Sequence, residues 1–226
     1  MITRISALLS TDRLEAIRAR LASASLEDGR ATAGHQSAQV KSNLQLPQHD
    51  PVTREVGEEI LRALERSAVF VSASLPRHVF PPLFNRYESG MTFGAHIDNA
   101  IRQIPGTPHR LRTDLSATLF LSGPEEYDGG ELLIEDTYGS QSIKLAAGDM
   151  VVYPSSSVHR VLPITRGTRT AAFFWIQSMV RDDGARTMLY DLDTAIRELA
   201  GDGARNESLV RLTACYHNLL RRWADL

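Results

Sequence analysis

The chain has 226 residues, enough for one large domain or a domain with a small appendage, and a chain of that size buries roughly 70% of its unfolded surface without a metal to hold it together. A formal net charge of -2 argues against a general nucleic-acid or membrane-surface binder, and no stretch approaches the roughly 20 apolar residues of a membrane span. The single cysteine, Cys215, rules out an intrachain disulfide and fits a reducing compartment.

Met1-Ile2-Thr3-Arg4 leads into only a short apolar patch. It reads as a lead-in strand without a signal-peptide core, so a cytoplasmic location is expected. A helix follows, with Asp12 as N-cap, Glu15 three residues on, and Leu14, Ile17 and Leu21 forming an apolar stripe. Glu27-Asp28-Gly29-Arg30 ends it, Gly29 suiting a C-terminal cap. Ala31 to Gln45 is small and polar and reads as strand or loop. His49-Asp50-Pro51-Val52 is a turn before a helix from about Thr53 to Arg66, whose Val56, Ile60, Leu61 and Leu64 face one way. Ser67 to Ser74 alternates apolar and small residues and reads as a strand.

The next stretch carries the chemistry. Phe84 to Asn99 is rich in glycine and aromatics and contains His96-Ile97-Asp98. In an extended strand positions i and i+2 point the same way, so this imidazole and carboxylate can converge on one metal ion, the alternative being a strand with polar residues on its solvent face. A second imidazole, His159, completes a 2-His-1-carboxylate triad that leaves coordination positions of Fe(II) open. Catalytic zinc would tolerate the same ligands, but no His-Glu-X-X-His helix supplies a base, and zinc gives no role to Arg169. Arg169 opens the apolar run Thr170 to Ile176, and an Arg at the start of a buried strand either reaches solvent at the strand end or needs an anionic partner such as a dicarboxylate, the second reading being preferred beside the triad. The other histidines, His35, His49, His78, His109 and His217, lack a partner at strand spacing.

Ala100 to Thr113, rich in Pro, Gly and Arg, follows the His-X-Asp pair and reads as a substrate lid or an ordinary surface excursion. From Leu115 to Gln177 short strand patterns alternate with turns such as Asp128-Gly129-Gly130 and Ala147-Gly148-Asp149, the pattern of a β-sandwich or barrel. Asp182-Asp183-Gly184 breaks it. Two helices are predicted beyond, Arg186 to Leu199 and Ser208 to Trp223, whose apolar faces either dock on the barrel or join two copies of the chain. Asn206-Glu207-Ser208 matches a glycosylation pattern, read as accidental here.

The order Tyr87, Gly90, Phe93, His96-X-Asp98, His159, Arg169 resembles the iron(II)/2-oxoglutarate-dependent dioxygenases of the prolyl-4-hydroxylase type. The resemblance is closest to the bacterial PKHD-type hydroxylases, and it extends to Gly34 to Lys41 and to Tyr216 to Trp223. It implies a mainly β fold, a double-stranded β-helix (jelly roll) over about 67–180 with the N-terminal helices packed on it. Residues 1–180 would be the dioxygenase domain and 181–226 a small helical appendage. It implies Fe(II) held by His96, Asp98 and His159, 2-oxoglutarate paired with Arg169, and hydroxyl donation to that co-substrate from Tyr87 or, more weakly, Thr118. O2 and 2-oxoglutarate would be consumed, succinate and CO2 released, with L-ascorbate as reductant and an unidentified peptidyl or small-molecule substrate. Asp98 favours hydroxylation, since related halogenases carry a small residue there. Phe93 departs from the tyrosine of many prolyl hydroxylases. The alternative is a jelly roll that binds a ligand or partner without catalysis.

Overall fold

The computed structural model describes all residues except 33, 105, 137–138 and 202–206; Asn206 of the glycosylation pattern therefore lies outside it. The chain opens with β1 (Thr3–Ile5) and α1 (Thr11–Ala22), followed by β2 (Glu27–Asp28), α2 (His35–Ala38), β3 (Lys41–Ser42) and β4 (Leu44–Gln45). Next come α3 (Pro51–Arg66), α4 (Ala68–Ser74), β5 (Pro76–Val79), β6 (Leu83–Tyr87) and β7 (Thr92–His96). A hairpin of β8 (Ile101–Gln103) and β9 (Arg110–Arg112) precedes β10 (Leu115–Phe120), β11 (Tyr127–Gly129), β12 (Leu132–Asp136) and β13 (Gly139–Ile143). The β region closes with β14 (Met150–Pro154), β15 (His159–Val161), β16 (Ile164–Gly167) and β17 (Arg169–Ser178), and the chain ends in α5 (Asp183–Gly201) and α6 (Glu207–Trp223). No described helix is long and apolar enough to cross a membrane.

Two antiparallel sheets carry the fold. The larger runs β1-β14-β10-β17-β6-β4-β2, with β5 also on β17; the smaller runs β13-β12-β15-β7-β3. Strand alternation divides the larger sheet cleanly. Leu115, Ala117 and Leu119 of β10, Met150 and Val152 of β14, and Ala172, Phe174 and Ile176 of β17 pack with Leu14, Ile17, Val56, Ile60, Leu64 and Phe70 of the N-terminal helices. The opposite face contributes Tyr87, Phe120, Val151 and Tyr153 to a second core shared with Leu132, Ile134 and Val161 of the smaller sheet. The cavity described below opens within that second layer.

Several local expectations change. Ser67 to Ser74 forms a helix where the alternation suggested a strand. Ser67 Oγ caps it by accepting from Phe70 N at 3.2 Å, and Leu75 ends it in the left-handed region at φ 42°. The helix buries Phe70, Ser72, Ala73 and Ser74 and leaves Val69 and Val71 exposed, so tertiary packing overrides the β-branched pattern. Position 67 therefore opens a helix, and the next strand begins at Pro76. The first helix begins at Thr11 after Ser10, leaving Asp12 in its first turn, and it ends at Ala22. Glu27 and Asp28 pair with Gln45 and Leu44 instead of capping it. The following helix starts two residues earlier than expected, at Pro51, because the Asp50 carboxylate accepts from Val52 N at 2.7 Å. The turn expected at Asp128-Gly129-Gly130 is instead the end of β11, which pairs with β16 and shifts register between Asp128 and Gly129; Gly129 has φ +72°, and a Cβ there would stand 2.1 Å from the Pro163 carbonyl oxygen.

The C-terminal helices dock on the rest of the molecule. Leu75, Val180, Ala185 and Leu189 form a cluster covered by Tyr216, Leu219, Leu220 and Trp223. The guanidinium of Arg186, 2% exposed, donates to Val180 O at 2.6 Å and to the Asp183 carboxylate at 2.7 Å, so this buried charge is paired. Asp225 N reaches Met179 O at 2.7 Å, and Ser72 Oγ donates to Asp193.

Candidate metal and 2-oxo-acid site

The smaller sheet brings the two distant histidines side by side: His96, the last residue of β7, stands directly opposite His159, the first of β15. Asp98 lies two residues beyond the strand end, and the nearest ligand atoms of His96, Asp98 and His159 all fall within 4.8 Å of one another. His159 Nε2 sits 3.6 Å from Asp98 Oδ2. Both rings point their Nδ1 at carbonyls of their own strand segments, His96 at Gly94 O (2.8 Å) and His159 at Ser157 O (3.0 Å). A carbonyl only accepts, so Nδ1 carries the proton and Nε2 presents its lone pair to the centre of the triad. Burial, followed by the neighbouring His159, pushes the His96 imidazole down to about 4, which keeps it neutral as a metal ligand must be.

The carboxylate is held from the larger sheet. Ser116 Oγ of β10 donates to Asp98 Oδ2 at 2.6 Å, and since that proton is committed, Ser155 Oγ at 2.7 Å donates to Ser116. Sequence reasoning passed over both serines, because their role depends on which strands face each other.

A β-bulge shapes the second side of His96. Between the pairs His159–His96 and Val161–Phe93, β7 spends three steps where β15 spends two. The extra residue lets Phe93 and His96, three apart, lie on one side, and their rings stack at 3.6 Å with an interplanar angle of 16°. Phe93 thus buttresses the His96 ring, a job that does not require the hydroxyl its tyrosine counterpart would carry.

Arg169 opens β17 opposite Tyr87 of β6. It is 1% exposed, and its Nε, Nη1 and Nη2 have no hydrogen-bond partner among the described residues. The guanidinium lies between the Tyr87 and Phe120 rings, 5.4 and 5.2 Å from their centroids. Burial drives the Tyr87 phenol up to about 12 against the opposing pull of Arg169, so it remains a protonated donor. Thr118, the weaker candidate donor, lines the same cavity.

That cavity, about 720 Å³ including its open mouth, joins Arg169 and Tyr87 to the triad. Its other walls come partly from residues the sequence did not flag. Lys41, buried, has its ammonium 5.2 Å above the Phe93 ring and 5.9 Å from that of Phe173, and burial followed by the charge of Arg102 pushes it down to about 8. Arg102 of β8 lies 3.8 Å from the centre of the Trp175 ring. The stretch expected as a lid or surface excursion is therefore a hairpin that forms a wall. It is tied down by Thr113 N to Ala100 O at 2.9 Å and by the fully buried Leu111. His49, His78, His109 and His217 do not line the cavity.

The residues fit a divalent metal with a 2-oxo diacid. Three ligands of the right type converge on one point, and a buried cation with unused donors closes the far end.

Two family models match the chain: the 2OG-Fe(II) oxygenase superfamily over residues 82–177, and the PKHD-type hydroxylase C-terminal domain over residues 183–225. A PKHD-type hydroxylase of Stutzerimonas stutzeri is 56% identical over 226 residues, covering 100% of both chains. Among solved structures, a Pseudomonas putida prolyl-4-hydroxylase aligns with TM-score 0.52 at 20% identity, over 78% of this chain and 92% of its own. HygX from Streptomyces hygroscopicus, with nickel and 2-oxoglutarate bound, aligns with TM-score 0.52 at 15% identity, over 78% of this chain and 82% of its own. At such identities the two structures speak for the fold.

Proposed function

The chain belongs to the PKHD-type hydroxylases and is an Fe(II)- and 2-oxoglutarate-dependent dioxygenase, and we propose that His96, Asp98 and His159 hold its iron while Arg169 and Tyr87 hold its co-substrate. The observation that carries this assignment is the Arg169 guanidinium, buried with three unused nitrogens in the same cavity as the triad. A buried cation without a partner is costly, and the distal carboxylate of 2-oxoglutarate relieves that cost through a forked contact. Bound iron with 2-oxoglutarate supplies the oxidising chemistry, which converts substrate C–H, O2 and the oxo acid to C–OH, succinate and CO2.

The protein's own groups orient and shield. The Gly94 and Ser157 carbonyls fix the imidazole tautomers, Ser116 and Ser155 fix the Asp98 carboxylate, and Phe93 holds the plane of the His96 ring. Phe120, Tyr153, Leu132 and Val161 keep the co-substrate end dry. Asp98 occupies a coordination position that a halide would need, which supports hydroxylation over halogenation. The two facing sheets form, in this reading, the double-stranded β-helix, with 1–180 the catalytic unit and 181–226 an appendage docked on it. L-ascorbate as reductant and a cytoplasmic location belong to the same reading.

Anaerobic addition of Fe(II) and 2-oxoglutarate should produce a weak visible metal-to-ligand band. His96→Ala should abolish it. A well-folded wild-type protein with no band would sink the assignment and favour a binding protein without catalysis.

A further inference from the structure

A second buried donor stands beside the Arg169 guanidinium. Tyr127, the first residue of β11, is fully buried in the same core as Tyr87, Phe120 and Leu132. Its cross-strand partner is Gly167, two residues before Arg169. Burial raises the phenol, and the adjoining Arg169 charge pulls it down. Its hydroxyl makes no well-formed hydrogen bond among the described residues.

Hydrogen-bond chemistry fixes what is missing. A guanidinium donates and never accepts, so toward Arg169 the phenol oxygen can only accept, and its own proton is unspent. Neighbouring buried donors with nothing to receive them call for an acceptor that tolerates a cation beside it. A carboxylate only accepts, and its lone pairs suffice for a forked guanidinium and a phenol at once. The ring is already held in place. Lys144 Nζ lies 4.2 Å from its centre and donates to Tyr127 O at 2.8 Å. Gly130, with φ +69°, leaves the ring its room, since a Cβ there would stand 3.0 Å from Tyr127 Cε2. A donor fixed in advance loses little freedom when its acceptor arrives.

We propose that Tyr127 donates its phenolic proton to the distal carboxylate of 2-oxoglutarate, so that Arg169 and Tyr127 receive that carboxylate together. The proposal rests on the reading that Arg169 holds the co-substrate. It makes Tyr127 a specificity-determining residue, one that selects a 2-oxo diacid over a 2-oxo acid with an uncharged tail. Tyr87, on the other face of the guanidinium, keeps the role given to it above.

The test uses the full chain loaded anaerobically with Fe(II), with the visible band read while two acids are titrated. One is 2-oxoglutarate. The other is 2-oxovalerate, which has the same carbon chain and chelating end but a methyl in place of the distal carboxylate. Wild-type protein should bind the diacid at least ~100-fold tighter. Tyr127→Phe should weaken 2-oxoglutarate ~10-fold and leave 2-oxovalerate within ~2-fold, because only the distal contact is lost. Its ligand-free Tm should be level or higher, since phenylalanine keeps the ring and removes an unsatisfied hydroxyl. A variant that binds 2-oxoglutarate as well as wild type, or that loses both acids alike, would overturn the proposal. So would one that fails to fold or melts ~8 °C or more lower, which would make the hydroxyl structural. Wild-type protein that gives no band, or that binds both acids equally, would instead remove the reading beneath it.

Discussion

Arg169→Met separates a functional cation from a structural one, because the two make opposite predictions for the ligand-free protein. A structural arginine is paired, and its removal is strongly destabilising, by about 3–5 kcal/mol. Arg169 makes no well-formed hydrogen bond among the described residues; its neighbours are the Tyr87 and Phe120 faces and the Tyr127 phenol, which its charge pulls down against burial. An unsatisfied buried group costs about 1–3 kcal/mol, and cation–π contact returns about 1–2 kcal/mol of that. Methionine fills most of the volume without the charge. Ligand-free stability should therefore be unchanged or raised by up to ~2 kcal/mol, a Tm between level and about 6 °C higher for a chain of this length. Binding of 2-oxoglutarate moves the other way. Two charge-assisted bonds at about 1.5 kcal/mol or more each are lost, so affinity should fall at least ~100-fold. Differential scanning fluorimetry with and without 2-oxoglutarate reads both quantities in one plate. A ligand-free Tm that drops by ~8 °C or more, or a co-substrate affinity left intact, would refute the assignment of Arg169.

Two further outcomes follow from the same geometry. Ser116→Ala removes the 2.6 Å bond to Asp98 without touching a ligand, so iron affinity, measured by competition with a chelator, should fall roughly 10- to 100-fold while the fold persists. Lys41 gives a pH signature. Its ammonium is pushed down from 10.5 to about 8, so between those values the unfolded chain holds the proton more tightly than the folded one, and stability rises with pH. Raised Tyr87 works against this above its ordinary value of 10.0, so the clean window is roughly pH 8 to 9.5, where urea titration should show a gain of up to ~2 kcal/mol that Lys41→Met abolishes.

What could be read from the chain alone tracks how local each signal is. The turn at Ala147-Gly148-Asp149 and the apolar stripes of the helices are local and led to the right elements, and the i, i+2 spacing brought His96 and Asp98 together although Asp98 lies beyond the strand end. Arg169 was legible because a charge at the head of an apolar run asks for a partner wherever it ends up. The residues that escaped act across strands. Ser116 and Ser155 matter only because β10 faces the end of β7, Phe93 only through the bulge, and Lys41 and Arg102 only where a short edge strand and a hairpin meet over the cavity. The helix at Ala68–Ser74 was misread because its small and β-branched residues mimic alternation, and burial against α3 and α5 decides between the two forms.

The irregular step in β7 makes the ligand set a matter of parity. With one residue in excess between Phe93 and His96, an odd separation behaves as an even one, and a ring and its support share a side of the sheet. Excising the one residue in excess would leave ring and support two apart, where strict alternation also keeps both on one side, so a deletion at the bulge should straighten the strand and spare the centre.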